Sequence, residues 1–308
     1  MTSFVVAALY RFAPLGNLPA MKTSLQKICD ENDVCGTLLL AKEGVNGTIA
    51  GKRKGIAAVL RALKRYPGLE ELEHKESRAT EAPFYRMKVR IKKEIVTMGV
   101  PEADPNKAVG EYVAPKDWNK IISDPDTVVV DTRNGYEIKI GTFKNAIDPD
   151  TGSFSEFPAY VKKNLDPKKN KKVAMFCTGG IRCEKASAYM KKLGFEKVYH
   201  LQGGILKYLE QIPEKESLWE GECFVFDQRV AVTHGLKEGT HILCPSCRCP
   251  VNPEETRHKK YIEGVACPAC FDDLTEEKKA AAAERHKQVK LAKKRGEKHI
   301  GREFPQEE

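Results

Sequence analysis

Along the first third of the chain the spacing of apolar positions changes period several times. Residues 3–12 form an apolar block of strand length, whereas Met21, Leu25 and Ile28 recur at helical spacing within 18–30. Two short apolar runs, 36–41 and 45–50, flank the turn Lys42-Glu43-Gly44 and predict a pair of strands. Ile56, Val59, Leu60 and Leu63 return to helical spacing, and Pro67-Gly68 stops that helix. Residues 84–91 alternate apolar and basic side chains, as a half-buried strand does. The order β-α-β-β-α-β is the split βαβ, ferredoxin-like pattern, which hosts many functions and by itself implies none.

Pro101, Pro105, Gly110 and Pro115 then punctuate a stretch that reads as a linker. Beyond it, helical segments (118–122, 157–164, 182–193) alternate with buried strands at 127–131 and 172–176 and a strand at 197–201 before the Gly203-Gly204 turn. Such alternation predicts an α/β unit with a parallel sheet and helices on both faces. Working sites in such sheets lie at the carboxyl ends of the strands. Asp131-Thr132-Arg133 and Cys177 both fall at such ends.

Composition changes this picture in two places. The formal charge of +9 is concentrated in residues 278–302, which hold ten Lys/Arg against two Glu. That run is either a solvated helix or tail, or a contact for a polyanion such as nucleic acid. Its apolar residues, Val289, Leu291 and Ile300, are too few for a continuous stripe, so no docking on the core is expected. No apolar run approaches a membrane span and no secretory leader is evident, so no membrane partner and a cytoplasmic address are expected. The ten cysteines are then thiols, metal ligands or reactive groups rather than a disulfide framework.

Cys177-Thr178-Gly179-Gly180-Ile181-Arg182 carries the clearest chemistry. A thiol at a strand end, a Gly-Gly turn and a helix start together form a ring of inward N–H groups at the positive end of a helix. A cysteine there favours its thiolate, or a persulfide anion once loaded with sulfur. Cysteine phosphatases need one residue more before the arginine; here the sixth residue after Cys177 is Cys183. The smaller ring suits a single sulfur or oxygen better than a phosphate. Asp131 and Arg133 either orient the loop, hold a substrate phosphate, or form an ion pair that fixes the strand end. Cys183 is either a resolving thiol for an oxidised Cys177 or a small buried hydrophobe.

The loop resembles that of rhodanese domains. Asp131-Thr-Arg133, Gly141-Thr-Phe-Lys-Asn-Ala-Ile147 and Leu201-Gln-Gly-Gly-Ile205 are similar to further rhodanese elements over about residues 115–215. The runs 36–44, 45–51, 93–99, 177–185 and 223–232 extend the resemblance over about residues 1–270, to the bacterial tRNA uridine(34) hydroxylases. That resemblance implies oxygen-dependent conversion of the wobble uridine to 5-hydroxyuridine. It also implies tRNA as partner, O2 as co-substrate, a source of electrons, and Cys177 as the reactive residue. The loop alone supports equally a sulfurtransferase working through a Cys177 persulfide; a non-catalytic adaptor is opposed by the intact Cys177 and Arg182.

The division expected is a ferredoxin-like α+β domain (1–97), a linker (98–114), a rhodanese α/β domain (115–218), a Cys-rich zinc-ribbon-like segment (219–275) and a basic helical tail (276–308). Cys244, Cys247, Cys267 and Cys270 have the C-x2-C-x19-C-x2-C spacing of four thiolates around structural zinc, with Cys249 a spare for Cys247. Reduced thiols in a small core are the alternative. No histidine pattern points to a catalytic metal, and no glycine-rich nucleotide or flavin motif occurs.

Overall fold

Strand alternation divides the N-terminal residues between the two faces of one sheet. In the computed structural model, which describes residues 4–297, β1 (Phe4–Phe12) turns Val5, Ala7 and Leu9 into a core shared with α1 (Leu18–Glu31) and α2 (Arg53–Leu63). β2 (Cys35–Ala41) and β3 (Gly44–Gly51) add Leu38, Leu40, Val45 and Ile49. The intervening residues, including Val6, Ala8, Tyr10, Thr37, Asn46 and Thr48, line a cavity on the opposite face.

Two further strands complete the sheet and correct one expectation. The strand order is β4-β1-β3-β2-β5, with β4 (His74–Ala79) antiparallel to β1 and β5 (Met87–Ile91) parallel to β2. The fourth strand of the ferredoxin-like frame is therefore β4, and residues 87–91 add a fifth strand on the other edge. His-Lys-Glu-Ser-Arg-Ala carries no apolar alternation because it is an edge strand, which is why its pattern gives no signal.

The central elements are β6 (Glu111–Val113), α3 (Pro115–Ile122), β7 (Thr127–Asp131), α4 (Gly135–Ile138), β8 (Gly141–Phe143), α5 (Phe157–Asn164), β9 (Lys172–Phe176), α6 (Ile181–Lys192), β10 (Lys197–Leu201) and α7 (Gly204–Gln211). A parallel sheet runs β6-β10-β9-β7. Its first strand lies inside the segment read as a linker, where Glu111–Val113 adds an edge to β10. Alternate residues of β9 feed separate cores: Ala174 and Phe176 join Trp118, Phe143 and Tyr208, while Val173 and Met175 join Phe157 and Tyr189. Lys185 on α6 ties this domain to the first. Almost fully buried, it donates to Glu43 at 3.0 Å, to Glu94, and to the carbonyl of Val96 at 3.1 Å.

After the parallel sheet, β11 (Trp219–Gly221) pairs with β8, and β12 (Cys223–Phe224) and β13 (Ala231–Val232) make a hairpin. β14 (Ile242–Leu243) pairs with β15 (Pro250–Val251) beside the cysteine cluster. α8 (Glu276–Lys294) is capped by Thr275, whose side chain accepts from the N–H of Lys278. Contrary to expectation, this helix docks. Ala282 packs into the core with Val251 and Val265, Lys279 Nζ sits 4.1 Å from the centroid of the Phe271 ring, and Lys290 pairs with Glu263 at 2.8 Å. Small alanines need no broad stripe to seat a helix on a small core, so a count of large apolar residues misses the contact. Lys298, Ile300 and Arg302 of the basic run lie outside the described residues. Among the described residues no helix is long and apolar enough to cross a membrane.

Candidate active site

β9 ends at Phe176, and the chain turns at once through Cys177 into the N-terminus of α6. The turn depends on glycine. Gly180 has φ +104°, and a Cβ there would lie 2.8 Å from the Tyr10 hydroxyl. Gly204, at the start of α7 with φ +67°, lets that backbone approach the loop so closely that a Cβ would lie 2.5 Å from the Cys177 carbonyl. In the closed loop the N–H of Gly180 donates to Cys177 Sγ at 3.1 Å.

The thiol is only 1% exposed, and burial alone would raise its pKa. The Cys183 side chain, the Arg182 guanidinium and the N–H groups of Cys183 and Gly180 outweigh burial and lower it well below the ordinary thiol range. Cys183 moves the other way: burial and the neighbouring Cys177 hold it neutral, and Thr132 Oγ1 lies 3.5 Å from its sulfur. The two neighbouring thiols are thus driven apart in acidity, Cys177 toward the thiolate and Cys183 toward the neutral thiol. Of the expected ring of inward N–H groups, those of Gly180 and Cys183 act on the sulfur.

Arg182 is fixed by a residue the sequence reading missed. Its guanidinium forms a bidentate pair with Glu137, at 2.6 and 2.8 Å, and the Glu137 side chain is fully buried. Burial would raise the Glu137 carboxyl, but Arg182 and then Arg133 keep it below its usual value. Glu137 also accepts from the N–H of Asn134 at 3.1 Å. The Asn134-x-x-Glu137 capping box was a visible signal for this residue.

Asp131 and Arg133 do not reach the cavity. The Arg133 side chain is fully buried; it grips Asp131 at 2.9 and 2.6 Å, donates to the carbonyl of Gly141 at 2.6 Å, and stacks under the Trp219 ring at 5.2 Å. Of the expected roles, the ion pair at the strand end is the one this geometry provides; a hold on substrate phosphate is excluded by burial. Thr178 contributes a hydroxyl 3.4 Å from Glu137 Oε2, and Ile181 packs on Phe12 and Ile95 of the first domain.

The N-terminal sheet roofs this loop. Lys75 of β4 reaches across and donates to the carbonyl of Gly179 at 3.0 Å, while the Tyr10 hydroxyl donates to Glu184 Oε1 of α6 at 2.8 Å. Burial lowers the Lys75 pKa, and Cys177 draws it back up. A third wall comes from residues 223–232: Arg229 forms a bidentate pair with Asp227 at 2.8 and 2.5 Å and donates to Ser77 Oγ of β4 at 2.7 Å. Together these walls enclose about 480 Å³, lined by Tyr10, Asn46, Lys75, Cys177, Arg182 and Phe226 among others. No local pattern marks Lys75 or Tyr10, because their role arises only from the docking of one domain on another.

At the far end, the sulfurs of Cys244, Cys247, Cys267 and Cys270 lie within 4.8 Å of one another. Neighbouring pairs are 3.6–3.8 Å apart. The edge of a zinc–thiolate tetrahedron is about 3.8 Å, whereas a disulfide needs about 2.05 Å. These four residues can hold a metal ion. Cys249 is not among them; its backbone carbonyl accepts from the N–H of Cys244 at 2.9 Å.

An acylphosphatase-like sheet over a rhodanese-type cysteine loop defines a rhodanese-containing protein of two joined domains. Residues 4–95 match the family described as the UPF0176 acylphosphatase like domain, and residues 114–211 match the rhodanese-like domain. A tRNA uridine(34) hydroxylase from Teredinibacter turnerae is 59% identical over 98% of this chain and 94% of its own length. One from Agrobacterium fabrum is 58% identical over 97% of this chain and 95% of its own, and one from Rhizobium etli 59% identical over 97% and 96%. The chain belongs to the tRNA uridine(34) hydroxylase family.

Proposed function

We propose that this chain hydroxylates C5 of the wobble uridine of tRNA to give 5-hydroxyuridine, with O2 as co-substrate and Cys177 as the residue that reacts. The observation that carries this reading is the near-full-length identity to hydroxylases of that name, joined to a thiolate at the base of a cavity of about 480 Å³. That volume suits a single nucleoside. A nucleotide of an unpaired loop is also inexpensive to turn out of its stack. The sulfurtransferase alternative is not favoured, because the relatives that span this chain carry the hydroxylase name.

In the overall reaction one oxygen atom enters the C5–H bond and the other leaves as water, so a reductant supplies two electrons and two protons. In this reading Cys177 Sγ adds to C6 of the uracil, and the pair of the ring double bond moves to C5. C5 becomes the nucleophile that bonds to O2, and the two electrons of the external reductant then cleave the O–O bond to leave a hydroxyl on C5 and water; loss of the C5 proton and expulsion of Sγ restore the ring. Arg182 and the loop N–H groups hold the thiolate before attack and receive it on departure. Cys183 donates to the thiolate, and Asp131 and Arg133 brace the strand end beneath the loop. The four clustered cysteines hold structural zinc, a role favoured by their tetrahedral spacing. Such a substrate places the protein in the cytosol.

The test is nucleoside analysis of tRNA from cells lacking this chain, grown with and without oxygen. The reading requires that 5-hydroxyuridine derivatives depend on both the chain and oxygen. Unchanged derivatives in its absence, in cells with no second hydroxylase, would refute it.

A further inference from the structure

A second groove, about 640 Å³ in volume, adjoins the Cys177 cavity and shares Thr37, Phe84, Val225, Phe226 and Asp227 with it. We propose that this groove cradles a single-stranded RNA loop and feeds one of its bases past Phe226 to Cys177; the proposal rests on tRNA being the substrate. Its floor continues the helix-free face of the N-terminal sheet. Thr37 pairs with Lys88 and Leu39 with Arg90, so Lys88 and Arg90 stand on that face while Met87 and Val89 turn toward the core. Arg86, one step before β5, falls in the same alternation, and successive cations stand about 6.6 Å apart along the strand. The opposite wall is the first cysteine knuckle, which contributes Arg248.

Charge selects the partner. Among the described residues none of Arg86, Lys88, Arg90 and Arg248 forms an ion pair. Burial, and then the three guanidiniums, push the Lys88 ammonium below its ordinary value. Asp227 is the sole carboxylate lining the groove among the described residues, and Arg229 holds both its oxygens. Crowded cations without acids call for a polyanion.

Aromatic rings select a single strand over a duplex. Phe226 is 58% exposed at the junction of the two cavities, and Tyr85 is 48% exposed with its hydroxyl donating to Gln228 at 3.2 Å. Phe226 is buttressed edge-to-face by Phe224 at 5.2 Å, and Phe224 in turn by Tyr136 at 5.3 Å. A fixed, exposed ring beside unpaired cations is the platform on which unstacked bases lie while the backbone follows the charges. A base-paired stem presents no free face to such a ring.

The test uses the full chain, an anticodon stem–loop carrying the wobble uridine, and a blunt RNA duplex of equal length. Phe226→Ala should weaken stem–loop binding about tenfold and leave duplex binding unchanged. The triple variant Arg86→Gln, Lys88→Gln, Arg248→Gln should lower the slope of log affinity against log salt by about 2, at about 0.7 per lost contact. Alkylation of Cys177 should match wild type in both, which shows an intact loop. Wild-type affinity and slope in both variants, with a wild-type chain that binds and modifies the stem–loop, overturn the groove alone. Equal wild-type affinity for duplex and stem–loop also overturns it. A wild-type chain that neither binds nor modifies the stem–loop overturns the tRNA reading itself, and the groove with it.

Discussion

Two charged regions, one around the Cys177 loop and one on the helix-free face of the N-terminal sheet, differ in one respect. Around Cys177 the ion pairs are buried or partly buried: Arg182 with Glu137, Arg133 with Asp131, Lys185 with Glu43 and Glu94. At the β5 edge, Arg86, Lys88 and Arg90 stand without acids among the described residues. Buried pairs contribute little net stability compared with apolar packing, yet removing one partner is costly. They are therefore suited to fixing a geometry, here the loop that stabilises a thiolate. Unpaired rim cations stabilise nothing in the free protein and are suited to meeting a partner.

The largest expected effect breaks the paired region. Glu137→Ala leaves the Arg182 guanidinium buried without its carboxylate, at a cost of about 3–5 kcal/mol. Denaturant unfolding reads this directly, and a change within about 0.5 kcal/mol would mean the pair does not hold the loop. Next in size is metal removal. The four-cysteine cluster, the only such group among the described residues, predicts one zinc per chain, and chelation should lower the thermal midpoint and expose the α8 amides to hydrogen exchange. Zinc-free protein of undiminished stability would exclude the structural role.

A smaller effect sharpens the electrostatics of the loop. The lowered pKa of Cys177 predicts that alkylation stays fast as pH falls below about 8.5, where an ordinary thiol becomes protonated and inert. Cys183→Ala removes one donor to the thiolate and should shift the midpoint of the rate profile upward. A wild-type profile with an ordinary thiol midpoint would contradict the geometry. The smallest effect falls on the tail. Replacing the exposed Lys293 and Lys294 of α8 by Gln should weaken binding of all tRNAs alike, with a slope loss of about 0.7–0.9 per lost phosphate contact, and leave wobble selectivity unchanged. An unchanged slope would confine RNA contact to the groove.

What the sequence revealed follows the same division. β7 and β9 were legible to the residue because buried parallel strands are near-continuous apolar runs, and β10 because it lies between a helix and the Gly203-Gly204 turn. The loop from Cys177 to Arg182 was legible because its chemistry is local to six residues. β4 was not, since an edge strand of polar side chains has no period to detect. Lys75 and Tyr10 enter the site from a different domain, and only the docking of two sheets brings them within reach of Gly179 and Glu184. Glu137 lies between these extremes, visible as a capping-box residue but not as the partner of Arg182. The alternation of Arg86, Lys88 and Arg90 was read as a strand; their lack of acids is a property of the fold.

The most direct measurement is complementation of a strain lacking this chain by wild-type protein and by Cys177→Ser, with 5-hydroxyuridine derivatives in tRNA as the readout. A serine hydroxyl is far less acidic than the thiol and stays neutral in the same loop, so the account predicts a folded variant and no hydroxylated uridine. Full restoration by Cys177→Ser would remove the thiolate from the reaction and contradict the account.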